Sequence, residues 1–149
     1  MDVRDHMTRN PVTVSPTDSL RKAWLLMRQA RLRRLPVLDD KRVIGIVTDR
    51  DIWERCPAGI VDGSHADSAY LMDHLRVMGV MSLQPVTVAP TTSVVEAASL
   101  LRTSKVGALL IVEAGECIGI VTKGDLIDAL IEMARDAAGT AARLSASQS

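Results

Sequence analysis

The sequence predicts an α+β fold made of two copies of one β-α-β-β-α unit, because the chain repeats itself at a constant shift of 74 residues. Under this shift Thr48 coincides with Thr122, and Met7–Ser19 coincides with Met81–Ser93. Each copy also contains one apolar stripe at helical spacing and two apolar runs around a polar turn. A unit of about 50 residues is marginal alone, so we expect the two units to pack about a pseudo-twofold axis.

The first half of each unit is predicted to be a short strand and a helix. The strand is PVTV, at residues 11–14 and 85–88, where β-branched residues lie between turn residues. Ser, Thr and Asp residues follow and suit a helix N-cap. The helix is indicated by apolar residues at three- and four-residue steps. These residues are Leu20, Ala23, Leu26, Met27 and Ala30 in the first copy, and Val94, Ala97, Ala98 and Leu101 in the second.

The second half of each unit is predicted to be a β-hairpin and another helix. The runs LPVL and VIGIV flank DDKR in the first copy, and ALLIV and CIGIV flank EAGE in the second. Because nearly every strand position is apolar, we expect both faces to be covered. The final helix starts after Thr48 in one copy and after Thr122 in the other.

These elements predict a domain organisation. The first unit covers residues 1–60, a connecting segment covers 61–76, the second unit covers 77–137, and a flexible tail covers 138–149. The connection should end in a short helix over Ala69 to Leu75.

The composition excludes several classes of protein. The chain has 18 basic and 18 acidic residues, and so lacks the basic excess typical of a nucleic-acid-coating protein. Cys56 and Cys117 have no CxxC or metal-ligand spacing, and we expect both to be packing residues of a protein in a reducing compartment. No apolar run reaches the length of a membrane span. We therefore expect a cytoplasmic protein that binds neither nucleic acid nor membrane and needs no metal.

The frame Gly-Ile-Val-Thr-x-x-Asp occurs twice, at Gly45–Asp51 and Gly119–Asp125. One interpretation is a helix cap, in which Thr accepts a backbone hydrogen bond and Asp bonds back. The other is an anion site, because a helix start presents free N–H groups, Thr can bond phosphate and an outward Asp can hold sugar hydroxyls. The frame alone leaves both interpretations open.

The chain resembles the tandem CBS (cystathionine beta-synthase) domain pair, or Bateman module, over roughly Val3 to Ala137. The matching segments are VRDHMTRNPVTVSP, RRLPVLDDKRVIGIVTDRDI, VMGVMSLQPVTVAP and ALLIVEAGECIGIVTKGDL. The resemblance implies a non-catalytic regulatory module that binds adenosine-containing nucleotides (AMP, ADP or ATP) in clefts between its units. It also implies a homodimer, an unidentified effector protein, and no cofactor beyond the regulatory nucleotide.

The resemblance also implies two sets of site residues. In the first copy the base lies at Val12 and Thr13, beside Pro36. Phosphate meets Arg33, Arg34, Arg50 and Thr48, and Asp51 holds the ribose. The second set is Val86, Thr87, Lys105, Thr122, Lys123 and Asp125.

The second copy departs from this pattern. Gly107 and Ala108 stand where the first copy has Arg33 and Arg34. The other changes are Leu110 for Pro36 and Gly124 for Arg50. Because bidentate guanidinium donors are lost, we expect the first site to bind phosphorylated nucleotides better than the second.

Other functions remain open at this point. The module could be a dimerisation scaffold with empty clefts, or it could bind S-adenosylmethionine or a dinucleotide. An enzyme is disfavoured because the sequence has no recognisable nucleophile set, metal cluster or P-loop. At least one of Trp24 and Trp53, each on a predicted helix, is expected at a dimer contact.

Overall fold

The computed structural model describes residues 1–56, 66–83 and 85–147. Its contacts divide the chain into two compact units. The first-repeat unit comprises Asn10–Pro85 and Ala114–Ile118, and the second-repeat unit comprises Met1–Arg9, Val86–Glu113 and Gly119–Ser149. The predicted boundaries divide the chain at the ends of the sequence repeats. The compact units differ from them, because each unit combines segments from both repeats.

The predicted helices and hairpins are present in both repeats, which confirms the α+β class. The helices are α1 (Leu20–Ala30), α2 (Asp49–Arg55), α3 (Ala66–His74), α4 (Val94–Ser104) and α5 (Lys123–Ser147). The strands are β1 (Thr8–Arg9), β2 (Arg34–Asp39), β3 (Arg42–Thr48), β4 (Ser82–Leu83), β5 (Thr87–Val88), β6 (Ala108–Glu113) and β7 (Glu116–Thr122). They form two sheets, ordered β2-β3-β4 and β1-β7-β6-β5.

The predicted PVTV strand forms differently in the two repeats. In the second, β5 pairs in parallel with β6, and Leu110 N–H donates to the Val86 carbonyl at 3.0 Å. In the first, the strand prediction is wrong, since only Val14 makes a bridge, to Val37. The position equivalent to Leu110 is Pro36, which has no N–H and cannot make the corresponding bond. The pairing of this segment with β2 is therefore shorter than the pairing of β5 with β6.

Both hairpins turn through two residues instead of the four polar residues predicted. Asp39 still pairs with Arg42, so these outer residues belong to the strands. Asp40 and Lys41 have φ of 47° and 72°, and the equivalent residues Ala114 and Gly115 have φ of 52° and 80°. Two successive left-handed residues match the twist of the flanking strands.

The core of the first-repeat unit lies between α1 and its sheet. Leu20, Ala23 and Met27 of the predicted stripe are buried, while Leu26 is half-buried and Ala30 is exposed at the helix end. Cys56 is fully buried in this core, and burial raises the pKa of its thiol. Its predicted packing role is confirmed. In the second-repeat unit Val94, Ala97 and Leu101 are buried and Ala98 is half-buried.

The predicted connecting helix is present as α3 and starts three residues earlier than expected; residues 57–65 lie outside the described part. Arg21 of α1 pairs with Asp73 of α3, and this hydrogen-bonded guanidinium lowers the pKa of the Asp73 carboxyl. A carboxyl with a depressed folded-state pKa adds stability above its unfolded pKa and loses it as pH falls through the folded value.

Asp73→Asn should therefore lower the melting temperature slightly at pH 7, and this difference should shrink as pH falls through the lowered folded-state pKa of Asp73. The pair is exposed, so the effect is small. Thermal unfolding of both proteins across this pH range measures it. A difference that persists undiminished at low pH contradicts this assignment.

Helix α5 continues to Ser147. Residues 138–147 of the predicted flexible tail are thus helical, and residues 148 and 149 lie outside the described part. Whether this segment moves stays a prediction. Within the described residues, no helix is long and apolar enough to span a bilayer.

Candidate functional site

The repeated frame forms the same capping box twice. Thr48 Oγ1 accepts a hydrogen bond from Asp51 N at 3.1 Å, and Asp51 Oδ2 accepts one from Thr48 N at 2.8 Å. In the second copy, Thr122 and Asp125 make the same two bonds at 3.3 and 2.9 Å. The cap interpretation is therefore confirmed for both copies.

The glycine that opens the frame is required by close packing. A Cβ on Gly45 would lie 2.8 Å from both Met81 Sδ and the carbonyl oxygen of Ser82, which belongs to β4. A Cβ on Gly119 would meet the Met7 side chain and would lie 3.1 Å from the carbonyl oxygen of Thr8. The frame thus holds an edge strand against its own sheet, in addition to capping a helix.

The arginines of the first copy surround its capping box. Arg34 is half-buried on β2 directly opposite Thr48 of β3, and the carbonyl of Arg33 accepts a bond from Asp49 N at 2.8 Å. Arg33 is exposed, and so is Arg50, whose guanidinium lies 3.4 Å from Glu54. Arg33 and Arg34 thus both lie next to the Thr48–Asp51 cap. Neither guanidinium is paired with an acid in the described residues.

The segment with the predicted base-contacting residues, Val12 and Thr13, is hydrogen-bonded to β2 through Val14. Val12 is exposed, Thr13 is half-buried, and Val14 N–H donates to the carbonyl of buried Pro36 at 3.0 Å. Pro36 and Arg34 are two residues apart on β2, so they face the same side of the strand. The structure therefore attaches the base-contacting segment to the strand that carries Arg34.

The second copy keeps the cap and lacks the arginines. Lys123 N–H donates to the Gly107 carbonyl at 3.3 Å, matching the backbone bond between Asp49 and Arg33. Ala108, at the position of Arg34, is buried. The position equivalent to Arg34 therefore carries no guanidinium in the second copy.

Three of the predicted residues of the second site line two different cavities. Lys105 and Lys123, both exposed, line a groove of about 420 Å³ between α4 and α5, together with Arg102 and apolar side chains. Thr87 instead lines a cavity of about 500 Å³ with Glu96 and Thr103. Val86 uses its carbonyl to pair with Leu110. Sequence reasoning missed Arg102, whose only signal was its position three residues before Lys105 on the predicted helix.

The two repeats of this chain match a known protein family. The profile of the CBS domain matches residues 3–52 and 77–132, one match in each repeat. The chain belongs to the CBS domain family. It is 32% identical over 133 residues to a CBS domain-containing protein of Dictyostelium discoideum, covering 88% of this chain and 92% of that protein. It is 34% identical over 139 residues to the CBS domain-containing protein YhcV of Bacillus subtilis, covering 93% and 91%.

A solved CBS structure is also similar. CBSX2, in a crystal structure of its complex with AMP, has a TM-score of 0.72 and 27% identity, covering 88% of this chain and 97% of that one. The tandem CBS assignment made from the repeated motifs is thus confirmed.

Proposed function

We propose that this CBS pair is a regulatory module that binds an adenine nucleotide through the first-repeat set, with Arg33, Arg34 and Thr48 at the phosphate and Asp51 at the ribose. The observation that carries the proposal is Arg34, half-buried opposite Thr48 with no acidic partner in the described residues. A partly buried cation costs solvation free energy, which an anionic ligand offsets.

The capping box is compatible with this role. Thr48 uses a lone pair of Oγ1 in the cap, so its hydroxyl hydrogen remains able to donate to a phosphate oxygen. Asp51 uses Oδ2, and its Oδ1 accepts no hydrogen bond from the described residues. A carboxylate oxygen in that state can accept bonds from two adjacent sugar hydroxyls.

The adenine part of the proposal is supported by the similarity to CBSX2, which was crystallised with AMP. The backbone at Val12 and Thr13, attached to β2 through Val14, supplies the base-contacting segment. S-adenosylmethionine and dinucleotides share the adenosine group, and they are the alternatives that a ligand screen separates.

The two copies are proposed to be unequal. The second site retains Thr122 and Asp125 but has Gly107 and Ala108 in place of the arginine pair, and its lysines face the α4–α5 groove. A lysine ammonium gives a point contact, whereas a guanidinium bonds phosphate through two parallel donors. The first copy should therefore hold the tighter phosphate site.

The regulatory part of the proposal concerns partners. We place no catalysis in the chain and propose that nucleotide binding shifts its conformational equilibrium toward one recognised by an effector protein in the cytoplasm. A homodimer is part of this proposal, with Trp53, which is 44% exposed, or Trp24, which lies under the Arg28 guanidinium, at the contact. Light scattering that finds a monomer removes the dimer.

A ligand screen tests the function. Melting temperature is measured with AMP, ADP, ATP, adenosine, S-adenosylmethionine and NAD, because a ligand specific for the folded state raises it by mass action. A rise with AMP, followed by titration calorimetry, supports the proposal. No rise with any of these ligands supports the scaffold alternative instead.

Exchanging the arginine pair for its counterpart in the second copy gives a specific prediction. Arg33→Gly with Arg34→Ala should weaken AMP binding about 100-fold by calorimetry, since two charge-assisted contacts are lost. Adenosine affinity should change less than about threefold, because adenosine has no phosphate.

Arg31→Gly is the matched control for this pair. It removes a charge from the same Arg31–Arg34 cluster at a residue with φ of 55°, a conformation that glycine adopts without strain. AMP affinity should remain at the wild-type value. Equal losses for AMP and adenosine in the double variant would show that the arginines do not contact phosphate.

A further inference from the structure

The α4–α5 groove is cationic at one end and apolar further along. Its lining belongs to residues 98–105 and 123–130, so the groove lies within the second-repeat unit. The end of α4 and the start of α5 meet at one point, because Lys123 N–H donates to the Gly107 carbonyl. The cationic lining residues lie around this junction, and they are Arg102, Lys105 and Lys123. Ala98 and Leu130 line the groove further from it.

The three cations of the groove lack a counter-charge. In the described part of the chain, none of them forms an ion pair with an acid. Lys123 is moreover the first residue of α5, where the positive end of the helix dipole disfavours a cation. The equivalent residue of the first repeat is Asp49. An anion bound at this junction would offset the repulsion among the three like charges.

The rest of the groove offers apolar surface to a ligand. Leu101 and Leu126 are buried beneath it, while Ile127 and Leu130, which also line it, are 55% and 38% exposed. Covering such exposed aliphatic side chains with an apolar group is favourable. The groove therefore combines a site for a negative charge with a site for a hydrocarbon.

The first repeat shows why the second repeat has space here. Trp24 stands at the position equivalent to Ala98, is half-buried and packs against the core of its unit. The Arg28 guanidinium lies over its ring, 5.9 Å from the centroid. Arg102 is the equivalent of Arg28, but Ala98 offers it no ring. The exchange of tryptophan for alanine thus opens the groove and leaves a guanidinium available to an anion.

We infer that the α4–α5 groove binds a small amphipathic anion, an acyl or alkyl chain that ends in a carboxylate or a phosphate. The head group lies at Arg102, Lys105 and Lys123, and the chain covers Ile127 and Leu130. The groove volume of about 420 Å³ falls within the range of small-molecule sites, about 300–1,000 Å³. The eight residues of α5 along it span about 12 Å, which is short for a docked peptide helix. The inference does not depend on the first nucleotide site and goes beyond the proposed function.

Titration calorimetry of the full chain with octanoate tests the ligand class. Octanol has a similar chain without the charge, and it should bind at least about tenfold more weakly because the charge-assisted contacts are lost. Hexanoate should bind about 3- to 15-fold more weakly than octanoate, because two fewer methylene groups are buried. Octyl phosphate, titrated in parallel, ranks the two head groups. If neither anion binds, the inference is wrong.

Variants that copy the first repeat locate the site. Lys123→Asp should weaken octanoate binding at least about tenfold, because an attractive charge becomes repulsive. Ala98→Trp should weaken it at least about tenfold by filling the apolar part of the groove. Arg135→Asp and Ala134→Trp are the matched controls, since they place the same side chains at exposed positions of α5 outside the groove lining. Each control should change the affinity less than about twofold.

Circular dichroism checks the fold of these variants. If Ala98→Trp prevents folding, Lys123→Asp still tests the site, because Lys123 is exposed. AMP should leave the octanoate affinity within about twofold, since the described lining of the groove includes none of the first-repeat site residues.

Four results would overturn the inference. Competition by AMP would assign Lys105 and Lys123 to a nucleotide instead. Equal affinities for octanol and octanoate would remove the role of the cations. Equal losses in the Lys123→Asp and Arg135→Asp proteins would place the ligand elsewhere. An octanoate affinity that falls as the protein concentration rises would mean that a second copy of the chain covers the groove.

Discussion

Asp51→Asn is expected to weaken AMP binding by about 10- to 100-fold while leaving the fold intact, since a hydrogen bond to a charged group contributes about 1.5–3 kcal/mol. Asparagine can still accept the bond from Thr48 N through its amide oxygen, so the cap survives. The atom that replaces the ribose-facing oxygen is then an NH₂ group, which cannot accept from a sugar hydroxyl. Titration calorimetry with AMP and with adenosine should show the loss for both ligands.

The repeat supplies the control for this prediction. Asp125→Asn changes the same atom of the same capping box in the second copy, so its cost in stability should match that of Asp51→Asn. Both variants lose an acidic charge at a helix start, worth about 0.3–1 kcal/mol. AMP affinity of the tighter site should fall only with Asp51→Asn. If Asp125→Asn were the more damaging change, the assignment of the tighter site to the first copy would be wrong.

Gly45→Ala is expected to cost about 1–3 kcal/mol of unfolding free energy, the range for forcing an extra carbon into close packing. The new Cβ would lie 2.8 Å from the carbonyl oxygen of Ser82, so β4 itself must shift. Gly119→Ala should cost less, because its nearest obstacle is the flexible Met7 side chain and the Thr8 carbonyl is 3.1 Å away. Urea unfolding measures both.

Gly124→Ala is the control for these glycine substitutions. Its Cβ would meet nothing closer than Thr122 Oγ1 at 3.7 Å, and it lies in the first turn of α5. Alanine should therefore stabilise the helix by about 0.5–1 kcal/mol. A Gly45→Ala protein as stable as the wild type would contradict the close approach of β4.

The local elements were predictable because their causes are local. The stripe on α1, the hairpin signals and the Thr-x-x-Asp cap each depend on residues within one or two turns of chain. The shortened pairing at Val14 was also predictable from the sequence. Pro36 stands at the position of Leu110, and proline has no N–H to donate. The last turns of α5 were missed because residues 138–147 are mostly small and polar. Their alanine content favours a helix.

The long-range features were not predictable from local pattern. Nothing near Gly45 indicates that Met81 and Ser82 pack on it, although the repeated Met and Gly positions carry that information jointly. The separation of Lys105 and Lys123 from Thr87 depends on where the ends of α4 and α5 lie in space. The proposed nucleotide site consists of residues on or beside one strand, β2. Titration calorimetry tests this proposal.

The pairing of β1 with β7 orders the events of folding. Thr8 lies opposite Ile120, so this edge of the sheet joins segments separated by most of the chain. During synthesis β1 emerges before every other strand of its sheet, and its partner is made last. At about 5–20 residues per second, β1 stays without its partner for several seconds. Such a closure of distant segments should be a late step in refolding, so the second repeat becomes complete only when the N-terminal strand docks.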